Sequence, residues 1–346
     1  MASSSTKIDS NLLKNHTSDP DRIKITKTNL CFAEEQRLPN SKSHASKTST
    51  KNPVSQKSLN KFCNRVHQMT PEALNEQLKR RKLSTSGELD ILQHRLKHHY
   101  KLELTFGCEN PTTMIEQPFQ YIAVLDFEAT CEEKPDNDYK NEVIEFPIVL
   151  IDVKQQIIID KFQSYCRPTL KPILSTFCTQ LTGIKQHQVD NAPTFVEVLH
   201  NVEKWLNERN LLSTSNGHKL AFATDGPWDF TKFLQVQCRL SSIAYPQWAE
   251  EWIDIRKEFS RFYSVRRGGI EKMLHRLGFT FDGRPHSGID DSINIARITL
   301  ELLKDACVLS FNDGIRTSGP KATTITDKKA APNEKDEEED SIIFTD

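Results

Sequence analysis

A mixed α/β sheet flanked by helices, preceded by a small helical module, is the architecture that three features of the chain predict. Apolar, β-rich runs follow one another closely at 121–127, 143–153 (VIEFPIVLIDV) and 157–166 (IIIDKFQSYC). Helical and strand patterns then alternate. TFVEVLHNVEKWLNERN repeats Phe195, Val198, Leu199, Val202, Trp205 and Leu206 at helical spacing, and KLAFAT reads as a strand. Upstream, residues 67–104 hold two short leucine-spaced helical patterns separated by a break at 84–87. Clustered strands followed by alternation point to a mixed sheet covered by helices.

Each element has a local reason. In the upstream module Thr70 is placed to cap a helix, Pro71 to occupy its first position and Glu72 to meet its positive end. Leu74 and Leu78 share one face of that helix, and Leu89, Leu92 and Leu96 share a face of the next. EEKPDNDYKN is a polar connection between the first two strands. DGPWDFTKFLQVQCRL reads as a turn entering a helix, 252–256 as a short strand, and GIEKMLHRLGF and IDDSINIARITLELLKD as closing helices. Residues 1–66, rich in Ser, Thr, Lys and Asn, read as a disordered basic tail, 105–120 as a linker, 121–312 as the main domain and 313–346 as a disordered acidic tail.

Composition narrows the function classes. The chain has 346 residues, 36% of them hydrophobic, and a mean hydropathy of -0.57. No apolar run approaches the ~20 residues of a membrane span, and the N-terminus lacks the apolar stretch of a signal peptide. The eight cysteines are scattered without a C-x-x-C pair, which fits reduced intracellular thiols better than a disulfide framework or a zinc site. Residues 1–60 carry net charge +5 and 61–104 net +4, whereas 105–315 carry net -7 and 316–346 net -3. A basic front suits a polyanion and an acidic body suits metal cations. Solubility alone also accounts for that pattern.

IAVLDFEATCEE begins as a buried strand and then presents two carboxylates. Side chains alternate along a strand, so Asp126 and Glu128 share a face about 7 Å apart and Phe127 takes the other. Like charges so placed call for a cation, and paired divalent ions serve in-line phosphoryl displacement. A lone D-x-E is far more often a solvated strand end with two harmless acids. Two further stretches weigh against that reading. LAFATDGPWDFTKFL sets Asp229 at a helix start after a strand, where it also suits an N-cap. GRPHSGIDDSINIA sets His286 five residues before Asp291, with Ser287 and Asp290 available to cap the helix. Acids at strand ends and helix starts lie where an α/β sheet gathers ligands.

The order D-x-E, W-D, H-x-x-x-x-D, with LTGIKQHQVDNAPTF between the first two, resembles the DEDDh 3′→5′ exonucleases, the DnaQ-like group, over roughly 121–305. Leu74, Leu78, Leu83, Gly87, Leu92, Arg95 and Leu96 resemble the SAP motif, a nucleic-acid-binding helical module. Arg81 stands where that motif usually has Gly, and Glu88 where a Lys is common. The two together are similar to the enhancer-of-RNAi type of exoribonuclease. The resemblance implies an RNase H-like sheet and hydrolysis of RNA from the 3′ end to nucleoside 5′-monophosphates.

It also implies roles. Asp126, Glu128, Asp229 and Asp291 would hold two Mg²⁺ or Mn²⁺ ions, with Glu128 also counted as catalytic, and His286 would be the general base. Thr224-Asp225-Gly226 stands where the family often has His-Asn-Ala, so Asp225 and Asp229 compete for one ligand position. The aromatic-then-Asp pattern favours Asp229, leaving Asp225 to assist or tune. Trp228 would stack on the terminal base or else anchor the core. Phe177 and Thr182 would line the 3′-nucleotide pocket, and the backbone at Phe127 and Ala129 would approach the ribose. Arg95, with Lys79, Arg80 and Arg81, would contact RNA phosphates.

The substrates so implied are histone mRNA stem-loops, small duplex RNAs with 3′ overhangs and 5.8S ribosomal RNA. The implied partners are a stem-loop-binding protein and ribosomal or small-RNA machinery, in cytoplasm and nucleus including the nucleolus, with no membrane. Two other readings compete. A DNA exonuclease of proofreading or repair uses the same constellation, because only contact with the 2′-OH separates ribose from deoxyribose. A non-catalytic RNA-binding scaffold requires a broken ligand set, whereas all four acids and His286 are present.

Overall fold

The computed structural model describes residues 56–212 and 219–315; the remainder of both expected tails lies outside the described residues. Three helices come first: α1 (Gln56–His67), α2 (Pro71–Arg80) and α3 (Leu89–Phe106). Then follow β1 (Tyr121–Val124), β2 (Glu128–Ala129), β3 (Val143–Asp152), β4 (Ile157–Tyr165), α4 (Thr176–Thr182), α5 (Gln186–Asp190), α6 (Phe195–Glu208) and β5 (Leu220–Thr224). A π-helical turn, Asp229–Leu234, runs into α7 (Gln235–Leu240). The chain continues through β6 (Glu251–Asp254), α8 (Ile255–Tyr263), α9 (Ile270–Arg276), α10 (Gly288–Lys304) and β7 (Asp313–Gly314).

The sheet is mixed, as the clustered strands predict. β1 runs antiparallel to β3 and parallel to β5; β4 borders β3, and β6 and β7 extend the other side. Strand alternation divides its side chains between two cores. Ile122 and Val124 join Ala221 and Ala223 under α8, α9 and α10. Ala123, Leu125 and Phe127 join Phe146, Phe222 and the α6 residues Phe195, Val198 and Val202. Helices therefore cover both faces, the three-layer solution for a sheet apolar on both sides.

Two boundaries shift. α1 begins inside the region read as tail, and its Phe62 and Val66 close the small core formed by Leu74, Leu78, Leu92 and Leu96. Two short helices enclose too little apolar surface alone, and the Phe62 ring stacks on Tyr100 at 3.6 Å to supply the rest. At the other end, β7 pairs with β6 and Ile315 packs on the core, so the domain extends past 312. Leu89, expected on the buried face of α3, is exposed, while Ile91 is buried in the core under α8–α10.

Arg95 overturns an expectation. Read as an RNA contact, it is only 2% exposed. Its Nε donates to both oxygens of Asp305, at 2.7 and 2.8 Å, and its Nη1 donates to the carbonyls of Ser84 and Ser86. The face of α3 that carries Arg95 packs on the α/β domain, and a buried guanidinium is tolerated only when so paired. Gly87 belongs to the same joint. Its φ is 126°, and a Cβ there would stand 3.0 Å from the Arg276 carbonyl, which accepts the Glu88 N–H. Arg95→Ala is therefore expected to cost about 3–5 kcal/mol of stability in urea unfolding, the scale for stripping one partner from a buried pair. An RNA contact would instead show unchanged unfolding and weaker binding.

Candidate active site

β1 and β5 are parallel neighbours, so their C-terminal ends lie side by side, with Asp126 just past one and Asp229 just past the other. The shared register of β1 and β2 against β3 puts Pro147 opposite Asp126. Proline has no N–H to donate, so the ladder opens there. The alternation predicted for the D-x-E stretch holds across this gap. Phe127 turns into one core against Phe146, at 4.6 Å between centroids, leaving Asp126 and Glu128 half-buried on the α10 side.

Asp229 is buried in the first turn of the π-helical segment, a form of helix frequent at functional sites. Its Oδ1 accepts the Phe127 N–H at 2.8 Å. It therefore ties the turn after β5 to the acid stretch after β1 instead of capping its own helix. Asp225, the competing ligand, is held by Arg256 through Nη2 at 2.9 Å and Nε at 3.1 Å. Of the two, Asp229 is the acid set against Asp126.

Asp291 lies in the first turn of α10, where the helix dipole favours negative charge. The capping for which the sequence offers Ser287 and Asp290 comes instead from a strand. Glu145 of β3, buried and paired in register with Glu128, accepts the N–H groups of Gly288 and Ile289 and the side-chain amide of Gln163. Glu145 thus pins the start of α10 beside the acid stretch. Gly288 permits the contact, since a Cβ there would fall 2.7 Å from the Asp126 carbonyl oxygen. Asp290 accepts the Arg284 N–H at 3.0 Å and shapes the loop before the helix.

The four acids sense one another. Burial, then repulsion from Asp229, Asp291 and Glu128, raises the Asp126 carboxyl well above its ordinary range. Burial and then Asp291 do the same to Glu128. Burial pushes Asp229 and Asp291 up to about 7 each. Hard oxygen donors that repel each other in a partly dry site suit a divalent cation. Among the described residues no group of three or more His, Cys, Asp or Glu side chains is placed to hold a metal ion as it stands.

His286 sits on the loop leading into α10, exposed, with φ 61°. That left-handed conformation costs a non-glycine residue on the order of 1–3 kcal/mol and tends to mark functional sites. Its backbone N–H is bonded to Asp291. Although the residue is exposed overall, neighbouring protein partly desolvates its ring, and this and then the Arg284 charge lower its pKa, which favours the neutral imidazole a proton acceptor needs. Arg284 also donates to the Gln180 carbonyl, joining this loop to α4.

The remaining expected contacts divide. Trp228 is 57% exposed with Lys232 Nζ 4.7 Å over its ring, so it is no core anchor. Phe177 is half-buried on α4. Thr182 is buried, and its hydroxyl donates to the Cys178 carbonyl and accepts the Ile184 N–H, so it offers no polar group to a nucleotide. The Phe127 N–H is committed to Asp229, and the Ala129 carbonyl lies 3.8 Å from Cys178 Sγ. Lys79 and Arg80 are exposed at the end of α2, whereas Arg81 pairs with Glu103 at 3.0 Å. Glu145 was missed by the sequence reading. An acid inside the apolar run VIEFPIVL was its signal.

Residues 123–299 match the exonuclease family RNase_T. The rat protein named 3′-5′ exoribonuclease 1 (Rattus norvegicus) is 43% identical over 250 residues, 72% of this chain and 71% of its own length. The nuclease domain of 3′hExo, a DEDDh family member solved bound to rAMP, superposes with a TM-score of 0.55 at 46% identity, over 57% of this chain and 98% of that one. A 3′-exonuclease solved for its 3′-end specific recognition of histone mRNA stem-loop gives a TM-score of 0.55 at 44% identity, over 58% of this chain and 89% of that one.

Proposed function

The chain belongs to the DEDDh exonuclease family and is a 3′→5′ exoribonuclease, and from that premise we propose that it trims the 3′ ends of structured RNA at the acid cluster of Asp126, Glu128, Asp229 and Asp291. One observation carries this assignment: acids that follow β1 and β5 and open α10 raise one another's proton affinity at a single place. A divalent metal cofactor goes with the family, and we assign two Mg²⁺ or Mn²⁺ to these four carboxylates. When bound, the ions supply activation of the attacking water and neutralise charge on the leaving 3′-oxygen.

The protein's own groups do the rest. His286 takes the proton from the water that attacks phosphorus, the bond from phosphorus to the 3′-oxygen breaks, that oxygen takes a proton from solvent to become the new 3′-hydroxyl, and a nucleoside 5′-monophosphate leaves. Glu145 holds the start of α10, and hence Asp291 and the His286 loop, in place. Trp228, exposed beside Asp229, is suited to stack on a base. Histone mRNA stem-loops, small duplex RNAs with 3′ overhangs and 5.8S ribosomal RNA are the substrates proposed. A stem-loop-binding protein is the proposed partner, with a cytoplasmic and nuclear location. The α1–α3 unit is proposed as the SAP-like RNA-binding module, acting through Lys79 and Arg80.

The test is digestion of an end-labelled RNA hairpin with a single-stranded 3′ flank, beside a matched DNA, with and without Mg²⁺. The expected result is a ladder retreating from the RNA 3′ end, slowed at the stem and absent without metal. Faster trimming of the DNA would displace the structured-RNA proposal.

A further inference from the structure

The acid cluster poses an electrostatic problem for a polyanionic substrate. A cavity of about 1090 Å³ opens past the end of β5, lined by none of the four acids themselves. At one end its lining includes Gly226 and Pro227, just before Trp228 and Asp229; at the other it includes Glu88 and Arg276, where the helical module docks on α9. Arg256, Lys257, Arg266, Arg267, Lys272 and Arg276 line it against the two carboxylates of Glu88 and Asp254. Small-molecule sites are mainly apolar with a few polar groups; this one is dominated by cations. Within this lining Arg256 is paired with Asp225, Lys257 with Asp254 and Asp313, and Arg276 with Glu88 and Asp90. Arg267 and Lys272 are exposed on the loop between α8 and α9 and on α9.

This concentration is local. Residues 256–276 contain seven Lys or Arg against two Glu, net +5, inside a domain whose overall charge is negative. A basic groove leading to an acidic catalytic centre focuses a polyanion towards a site that would otherwise repel it.

We propose that this cleft holds the sugar–phosphate backbone of the substrate RNA upstream of the nucleotide being removed, and so carries the strand between the helical module and the acids. The inference rests on the exoribonuclease reading and adds a phosphate-binding track to it. Arg267 and Lys272 are its adaptable cations, and Arg256 marks its junction with the active site through Asp225.

The test uses the full chain with Mg²⁺ and compares the parent with the double variant Arg267→Ala/Lys272→Ala. The readout is kcat/KM on a single-stranded RNA of about 20 nucleotides and on a dinucleotide, between about 50 and 200 mM KCl. On the long RNA the double variant is expected to lose roughly tenfold at low salt, and its log–log salt slope to become shallower by about 1.4, or ~0.7 per phosphate contact removed. The dinucleotide, too short to enter the cleft, keeps the parent's rate. The exchange Arg267→Lys/Lys272→Arg, which keeps both charges, restores the parent slope. An unchanged slope on the long RNA, or an equal loss on the dinucleotide, overturns the track while leaving the exoribonuclease reading intact. A parent that digests neither RNA overturns both.

Discussion

Asp126→Asn is expected to lower kcat/KM by roughly a hundred- to a thousandfold, the scale of removing one preorganised electrostatic group from a catalytic centre, and to make the metal-free protein more stable. The two effects have one cause. Asp126 lies among Asp229, Asp291 and Glu128, and burial with their mutual repulsion lifts its carboxyl far above its ordinary range. An amide of the same shape keeps the packing, removes one negative charge and takes a donor from any metal. Urea unfolding in EDTA and RNA digestion in Mg²⁺ measure the two halves separately. Activity close to the parent's would sink the ligand assignment. Lost activity with lost stability would mark Asp126 as a folding residue. Opposed changes of this kind are expected where a site is built for function at some cost to the fold.

The second large effect is on pH and metal together. Asp229 and Asp291 have pKa values raised from 3.8 to about 7 by burial. A carboxyl with a higher pKa in the folded protein is protonated there while already ionised in the unfolded chain. The stability of the metal-free protein therefore falls as pH rises from about 4 to 7, at up to about 1.4 kcal/mol per unit for an independent group. The acids share protons, so their contributions do not add, and a few kcal/mol in all is the expected scale.

His94 and His98 oppose this trend in acid. Burial lowers each to about 4, so they gain stability as pH rises towards 6.5. Above that their contribution is complete and the decline from the acids stands alone. The stabilisation given by Mg²⁺ or Mn²⁺ should grow from pH 5.5 to pH 8, as protons cease to compete for the carboxylates. Thermal unfolding with and without metal at several pH values measures it. A metal-induced rise in Tm that is independent of pH would contradict the assignment.

Much of this site was legible in the chain because local spacing survives folding. Asp126 and Glu128 share a face because strand alternation is rigid, and Phe127 is in the core for the same reason. Other contacts were not legible because they join residues far apart in sequence. Arg95 fits a basic surface by composition, yet it faces Asp305, which lies 210 positions later. The cap of α10 came from Glu145, 143 positions before Gly288, and not from the adjacent Ser287. Thr182 shows a different limit: its hydroxyl satisfies the end of its own helix, a use that spacing does not distinguish from ligand binding.

The joint at Arg95 sets a length. α10 carries the candidate ligand Asp291 in its first turn and is followed directly by Asp305, which grips the helical module through Arg95. Seventeen residues of helix, about 26 Å at 1.5 Å per residue, stand between those ends as a strut. The docked module therefore cannot move towards or away from Asp291 without breaking the buried Arg95–Asp305 pair or bending the helix. Removing one turn of α10 would bring that joint about 5.4 Å nearer to Asp291.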